Sequence, residues 1–311
     1  MKKYIPIVIS LALVAFATIF VMKQKTSSYK KGTLLTKKSY DMGSFSPRGN
    51  CAVLPNFVKK LGIKRPIIDL TQERFKGIAI LDDTKVLHPK IWEKFEHFST
   101  YALDEKGNIY LAPMPYISIK PSTFDLQKNI YKIDSISGEI SIFMEITDVN
   151  PSANNPFGII SVVYDCEDKT LWVSAIDETD YMNQKGVIYH IDVQSKKILQ
   201  KSKGLDALTL QLLHTKKGKY LLAGAARDNK LYAYRIKKNR LEGNPEKIIE
   251  LPSVNEHIRK IKIYKKNTLE LQTIPFTYTL IARATKQARI YYRAQWDDKI
   301  KVWQLSIAPQ H

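Results

Sequence analysis

From about residue 95 onward, short apolar runs alternate with polar turns, and within the runs apolar and polar side chains tend to alternate in twos, as in half-buried strands. Four segments align as a turn leading into such a run: Gly107–Ala112 (GNIYLA), Lys169–Ser174 (KTLWVS), Gly218–Ala223 (GKYLLA) and Asn267–Gln272 (NTLELQ). Their fourth positions, Tyr110, Trp172, Leu221 and Glu270, stand 62, 49 and 49 positions apart. A second strand follows each, marked by Tyr131, Tyr189, Tyr232 and Tyr291. A further short run comes after it, as at Glu139–Phe143 and Lys299–Leu305, and one more precedes the first marker, as at Ser99–Leu103 and Gly158–Tyr164.

Four short strands in a unit of roughly 50 residues, repeated, form the pattern of β-propeller blades, each covering its apolar faces by stacking on neighbours. Residues 33–95 are less regular. Arg65–Leu70 and Lys76–Leu81 read as strands, His88–Phe95 as a short helical turn, and the stretch accommodates one or two blades. The expected fold is therefore all-β, a propeller of six blades with five as the alternative, in which Thr33–Lys38 pairs beside Lys299–Leu305 in the last blade. The rival arrangement is a β-sandwich pair.

Before the repeats, Tyr4–Met22 is uncharged and flanked by Lys2, Lys3, Lys23 and Lys25. As a helix it reaches about 28 Å, close to the thickness of a hydrocarbon core. The chain thus divides into an N-terminal signal anchor with a basic linker, residues 1–31, and a propeller domain, residues 32–311. The alternative is a secreted chain cleaved after Ala15, Phe16 and Ala17, which would leave the apolar Thr18–Met22 as a new N-terminus. The anchor reading places the propeller outside the cytoplasm, with the membrane as a partner through the helix.

The composition fits a globular protein of 311 residues, 44% hydrophobic and 25% charged. The 49 basic and 30 acidic side chains give a net charge of +19. Such an excess suits an anionic partner. The lysine pairs, however, fall mostly in turns between apolar runs, where they keep sheet edges soluble, and export argues against nucleic acid. Cys51 and Cys166 are too few for a metal cluster, and whether they pair stays open. No Gly-x-Ser-x-Gly, phosphate loop or HExxH is present.

In blade rhythm, residues 95–306 resemble six-bladed propellers of the SMP-30/gluconolactonase-like and NHL-like type. For the lactonases the resemblance implies a divalent cation such as Ca²⁺ in the central channel, held by oxygen donors just before the innermost strands. Asp206, in Gly204–Leu208, matches the acidic ligand. Asn155 lies two residues early against the amide ligand, and Glu73 precedes Lys76–Leu81 without the family's Glu-Gly-Pro pattern.

Residues leading into the innermost strands would crowd the channel mouth whether or not a metal is held. These are His97 and Thr100, with Glu96 beside them; Asn155; Asp206; and Glu256, His257 and Arg259. Both signs of charge and two imidazoles suit a small polar ligand. His88, His190, His214 and His311 show no ligand spacing. The expected function is a membrane-anchored, extracytoplasmic propeller that binds a small polar ligand or an envelope protein at its channel face. The alternatives are a metal-dependent lactonase or esterase and a structural scaffold in an envelope complex.

Overall fold

The structure, a computed structural model, describes residues 34–36, 39–48, 51–64, 66–70, 76–83, 85–95, 97–115, 124–180, 182–279 and 289–308. The apolar segment 4–22 expected to span a membrane lies outside them. Among the described residues no helix is long and apolar enough to cross a bilayer.

All four repeated markers become strands, and each sheet is an antiparallel meander. Blade 2 contains β5 (His97–Leu103), β6 (Ile109–Met114), β7 (Asn129–Ile133) and β8 (Ile140–Glu145). Blade 3 contains β9 (Ile159–Asp165), β10 (Thr170–Ala175), β11 (Val187–Asp192) and β12 (Ile198–Lys203), and blade 4 contains β13 (Ala207–Thr215), β14 (Gly218–Ala225), β15 (Lys230–Lys237) and β16 (Arg240–Glu250). Blade 5 contains β17 (His257–Lys265), β18 (Thr268–Ile274), β19 (Ile290–Asp297) and β20 (Val302–Ile307). The N-terminal β1 (Leu34–Leu35) is its fifth strand, with Leu34 opposite Leu305, as the pairing of Thr33–Lys38 with Lys299–Leu305 anticipated.

Blade 1 is reduced to three short strands, β2 (Ile67–Asp69), β3 (Ala79–Leu81) and β4 (Val86–Leu87). The propeller thus has five blades rather than the expected six. The physical reason lies in residues 33–95, which were read as one or two blades: of those described, 39–48 and 51–55 cross the ring and Asn56–Lys60 forms one short helix, α1, so a single blade is left.

Apolar side chains fill the seams between neighbouring blades. Blades 1 and 2 share a cluster that includes Ile80, Trp92, Phe98, Ile109 and Tyr131, with Val58 of α1. Tyr110 and Phe143 meet Leu171 and Val173 between blades 2 and 3. Trp172 and Leu221 lie in the cluster between blades 3 and 4, and Leu222 joins Leu271 and Trp303 between blades 4 and 5. Two close approaches demand glycine: a Cβ on Gly158 would collide with Gln127 O across the blade 2–3 seam, and one on Gly224 with Ile258 O across the blade 4–5 seam.

Among the described residues no such cluster joins blade 5 to blade 1. Residues 39–48 and 51–57 strap the ring across one face instead. Ser39 N donates to Lys301 O (2.9 Å) on blade 5. Lys216 N on blade 4 donates to Ser44 O (2.9 Å), and Asn267 N on blade 5 donates to Phe45 O (2.9 Å). Cys51 forms a disulfide with Cys166 on blade 3. Phe57 N then donates to Ser135 O (3.0 Å) on blade 2. The strap therefore crosses the face of the ring where the turns after the innermost strands emerge.

The disulfide closes a loop of sequence separation 115, and a loop of that length restricts the unfolded chain strongly. Replacing both cysteines by serine should lower unfolding free energy by about 2–5 kcal/mol, read as a lower urea midpoint with a steeper slope, because the unlinked unfolded chain exposes more surface. A midpoint equal to that of the wild type would show that the strap holds without its covalent clamp.

Candidate functional site

Side chains on a strand alternate between its two faces. In the innermost strands β5, β9, β13 and β17 those two faces turn toward the neighbouring blades, as Val162 and Tyr164 of β9 join the cluster with blade 2 and Val163 packs on the cluster with blade 4, and the two ends of the ring are built differently.

At the end where these strands begin, side chains from blades 2 to 5 form an apolar plug. Phe157, Ile160, Ile176, Leu208 and Ala226 are buried in it, and Met114, Phe276 and Tyr278 pack against them. Most of the residues expected at the mouth surround this plug and are themselves buried. Asn155 donates from Nδ2 to Ile176 O (2.7 Å) and Thr179 O (3.1 Å), and its Oδ1 accepts from Phe157 N (3.2 Å). Asp206 is fully buried. Its Oδ1 accepts from Thr179 Oγ1 (2.9 Å) and Gly186 N (2.6 Å), and its Oδ2 accepts from the Tyr278 hydroxyl (2.5 Å). Asn155 and Asp206 are thus brought together, with Thr179 as the link between them.

His257 Nδ1 donates to Asp228 O (3.2 Å), and its ring meets Phe276 edge-on at 6.2 Å. His97 and Glu256 are buried at the same end. Thr100 lies deeper, its hydroxyl accepting from Val162 N (2.9 Å) and so tying blade 2 to blade 3. Arg259 lies deeper too, with Nη1 donating to Leu208 O (2.9 Å) and Nη2 to Ser99 O (3.2 Å).

The donor set for a divalent cation does not fit a metal at this end. Both Asp206 oxygens and the Asn155 oxygen are engaged by protein donors, and Glu73 lies outside the described residues, as does Glu96. Among the described residues no group of three His, Cys, Asp or Glu side chains is placed to hold a metal. Burial raises the Asp206 carboxyl above its ordinary range, an effect that the hydrogen bonds from Tyr278, Thr179 and Gly186 only partly offset.

At the opposite end, under the strap, lies a cavity of about 350 Å³. Tyr101 and Leu103 of β5, Val163 and Asp165 of β9, Gln211 and Leu212 of β13 and Ile263 of β17 line it. The strap adds Ser46, Arg48 and Ala52, and Cys166 stands in the wall, so the disulfide fixes strap to cavity. Arg48 Nη1 donates to both Glu167 Oε1 (3.2 Å) and His214 Nδ1 (3.1 Å). His214 also lies 3.5 Å from Glu167, a distance that counts as an ion pair only for a protonated ring. Burial lowers the His214 pKa, and an accepting Nδ1 fits the neutral form. Lys219 reaches Asp165 (2.5 Å), Asp168 (2.9 Å) and Glu167 (3.3 Å). Tyr101, in the cavity wall, is 39% exposed, which leaves room beside it.

Tyr101, Gln211, Arg48 and His214 carry no motif and were not singled out as site residues from the sequence. The one signal that pointed toward them was the cysteine pair, since a Cys51–Cys166 bond brings residues 46–52 to the end of β9.

No protein-family model matches the chain, and its sequence matches no curated protein. Among solved structures, TolB from Acinetobacter baumannii is similar at 10% identity and TM-score 0.38, over 82% of this chain and 67% of that one. A glucose dehydrogenase is similar at 12% identity and TM-score 0.39, over 88% of this chain and 84% of that one. The β-propeller domain of the Trilobed protease from Pyrococcus furiosus is similar at 10% identity and TM-score 0.36, over 89% and 72%.

His257 and His190 are both held below the ordinary imidazole value of 6.5, chiefly by burial. A base whose pKa is depressed on folding contributes stability that is present above its unfolded pKa and lost as pH falls toward its folded one. Unfolding free energy should therefore decline as pH drops below 6.5, and His257→Gln should make that decline shallower. An unchanged slope in pH-dependent urea melts would mean that His257 is not buried as a neutral ring.

Proposed function

We propose that this chain is an extracytoplasmic propeller, tethered by its N-terminal apolar segment, that binds a small polar ligand in the axial cavity beneath the 39–57 strap. One observation carries the reading. The cavity is concave, about 350 Å³, and is walled by Tyr101, Gln211, Arg48 and His214 on elements that a disulfide holds in place. A pocket of this size with a few convergent polar groups on a mostly apolar wall is the usual form of a small-molecule site. The ligand face is thus the end opposite to the one where His97, Asn155, Asp206, Glu256 and His257 gather, and those residues act by holding the inner loops in place.

The disulfide supports the extracytoplasmic location, since such bonds persist in oxidising compartments. The metal-dependent lactonase reading finds no donor set among the described residues. On this reading the ligand is held by side chains alone, and a chelator should leave its binding unchanged.

The test is a thermal-shift screen of small polar compounds on the full chain and on Gln211→Trp, a substitution that fills the cavity. A ligand present at a hundred times its Kd should stabilise the wild type by about 2.7 kcal/mol and leave the filled variant unmoved. Shifts of equal size in both proteins would place binding elsewhere. For the location, alkylation of unreduced protein from its native cell should leave Cys51 and Cys166 unmodified, whereas full alkylation of both would put the propeller in a reducing compartment.

A further inference from the structure

The lysines that fall in turns along the sequence gather at one end of the ring and in one sector of it. In blades 4 and 5 the turns at the strap end, residues 216–217, 238–239, 266–267 and 298–301, carry six lysines against the single acid Asp298. The described segments between strands at the opposite end have the reverse balance. Residues 146–158, 176–180, 182–186, 204–206, 226–229 and 251–256 carry seven acids against Lys185 and Arg227. At the strap end of blade 2, the turns 104–108 and 134–139 hold four acids against Lys106. Lysines placed only to keep sheet edges soluble would spread over both ends, so a local excess has another cause.

The acids within reach of the patch are already engaged: Asp41 by Lys217 (2.7 Å) and Lys301 (3.1 Å), and Asp298 by Lys301 (2.8 Å). Lys216, Lys238, Lys266 and Lys299 are exposed and form no ion pair among the described residues. Lys238 and Lys301 hold left-handed backbone, with φ of 49° and 58°, where asparagine or glycine costs less. Ile300 stands between Lys299 and Lys301 and is 56% exposed, an apolar tip inside a basic patch.

We infer that the strap end of blades 4 and 5 docks on a bilayer surface bearing anionic phosphate headgroups, with Lys216, Lys238, Lys266 and Lys299 among the phosphates and Ile300 at their boundary with the acyl chains. Lysine is a compact charge on a flexible stem, without the planar fork that fixes one phosphate in a set geometry. It therefore suits a field of mobile headgroups. The four turns emerge from the same end of two adjacent blades, as a planar partner requires, and an exposed isoleucine among them gains by entering the interface. This surface is distinct from the cavity, whose wall includes none of these residues. A chain tethered as proposed above has a bilayer within reach.

The test places the full chain in phosphatidylcholine vesicles, with and without phosphatidylglycerol, and follows acetylation of each lysine by a water-soluble reagent. Adding the anionic lipid should slow acetylation of Lys216, Lys238, Lys266 and Lys299 about fivefold or more and leave Lys185 and Lys203, at the other end, within about twofold. Salt at about 0.5 M should erase the contrast. In the double variant Lys238→Asn with Lys266→Gln, whose changes are confined to exposed turns, the protection of Lys216 and Lys299 should be largely lost. Equal acetylation in both kinds of vesicle, or a slowing at both ends alike, would overturn the docking surface. Protection by soluble polyphosphate in neutral vesicles, at a lower phosphate concentration than the lipid supplies, would assign the patch to a free polyanion and overturn the bilayer. Failure of the chain to float with neutral vesicles, with protection by anionic ones intact, would remove the tether and uphold the docking surface.

Discussion

A four-stranded sheet whose two faces are both apolar has to be covered twice, and in this protein each cover is the next sheet. Leu171, Val173 and Trp172 follow one another on β10 and serve opposite neighbours, the first two toward blade 2 and the third toward blade 4. The alternation of a single strand thus binds three blades. Stacking by itself has no natural stop, so the ring must be finished by something other than a further copy of the repeat. Here the five-stranded last sheet and the strap do that work: β1 covers the outer edge of β20, and residues 39–57 reach from blade 5 to blade 2.

The same solution makes the two ends of the axis unequal. Where the innermost strands begin, rings from Phe157 and Phe276, 5.1 Å apart, fill the opening. The polar residues around them are spent on fixing loops, as Thr179 shows by accepting from Asn155 through its carbonyl and donating to Asp206 through its hydroxyl. Where those strands end, the strap spans the opening without filling it, because its apolar side chains Met42 and Phe45 turn into the blade 4–5 seam. The cavity is what remains between a clamp and a ring that it does not touch everywhere.

The strand repeats were legible because alternation and turn residues are local: Tyr110, Trp172, Leu221 and Glu270 all fall in second strands, and the Tyr189 and Trp172 positions are fully buried. The blade number was not, since residues 39–48 and 51–64 have no periodicity of either kind and are placed by contacts as distant as that of Phe45 with Asn267. Asp206 could be placed beside an innermost strand from the repeat, but its partners Thr179 and Tyr278 come from loops of two other blades. Nothing nearby in sequence tells a ligand carboxylate from a buried brace. Arg259 was expected at the channel mouth, while its bonds to Leu208 O and Ser99 O on two other blades are a property of the assembled ring.

The pairing of Leu34 with Leu305 also bears on how the molecule is made. A chain emerging from the ribosome presents β1 long before β20 exists, so the first strand waits unmated through the synthesis of every blade. The outer edge of the last sheet can be sealed only after β20 has been made. Assembly of this propeller therefore includes a non-local contact between its first and last strands, a step slow relative to the local hairpins before it.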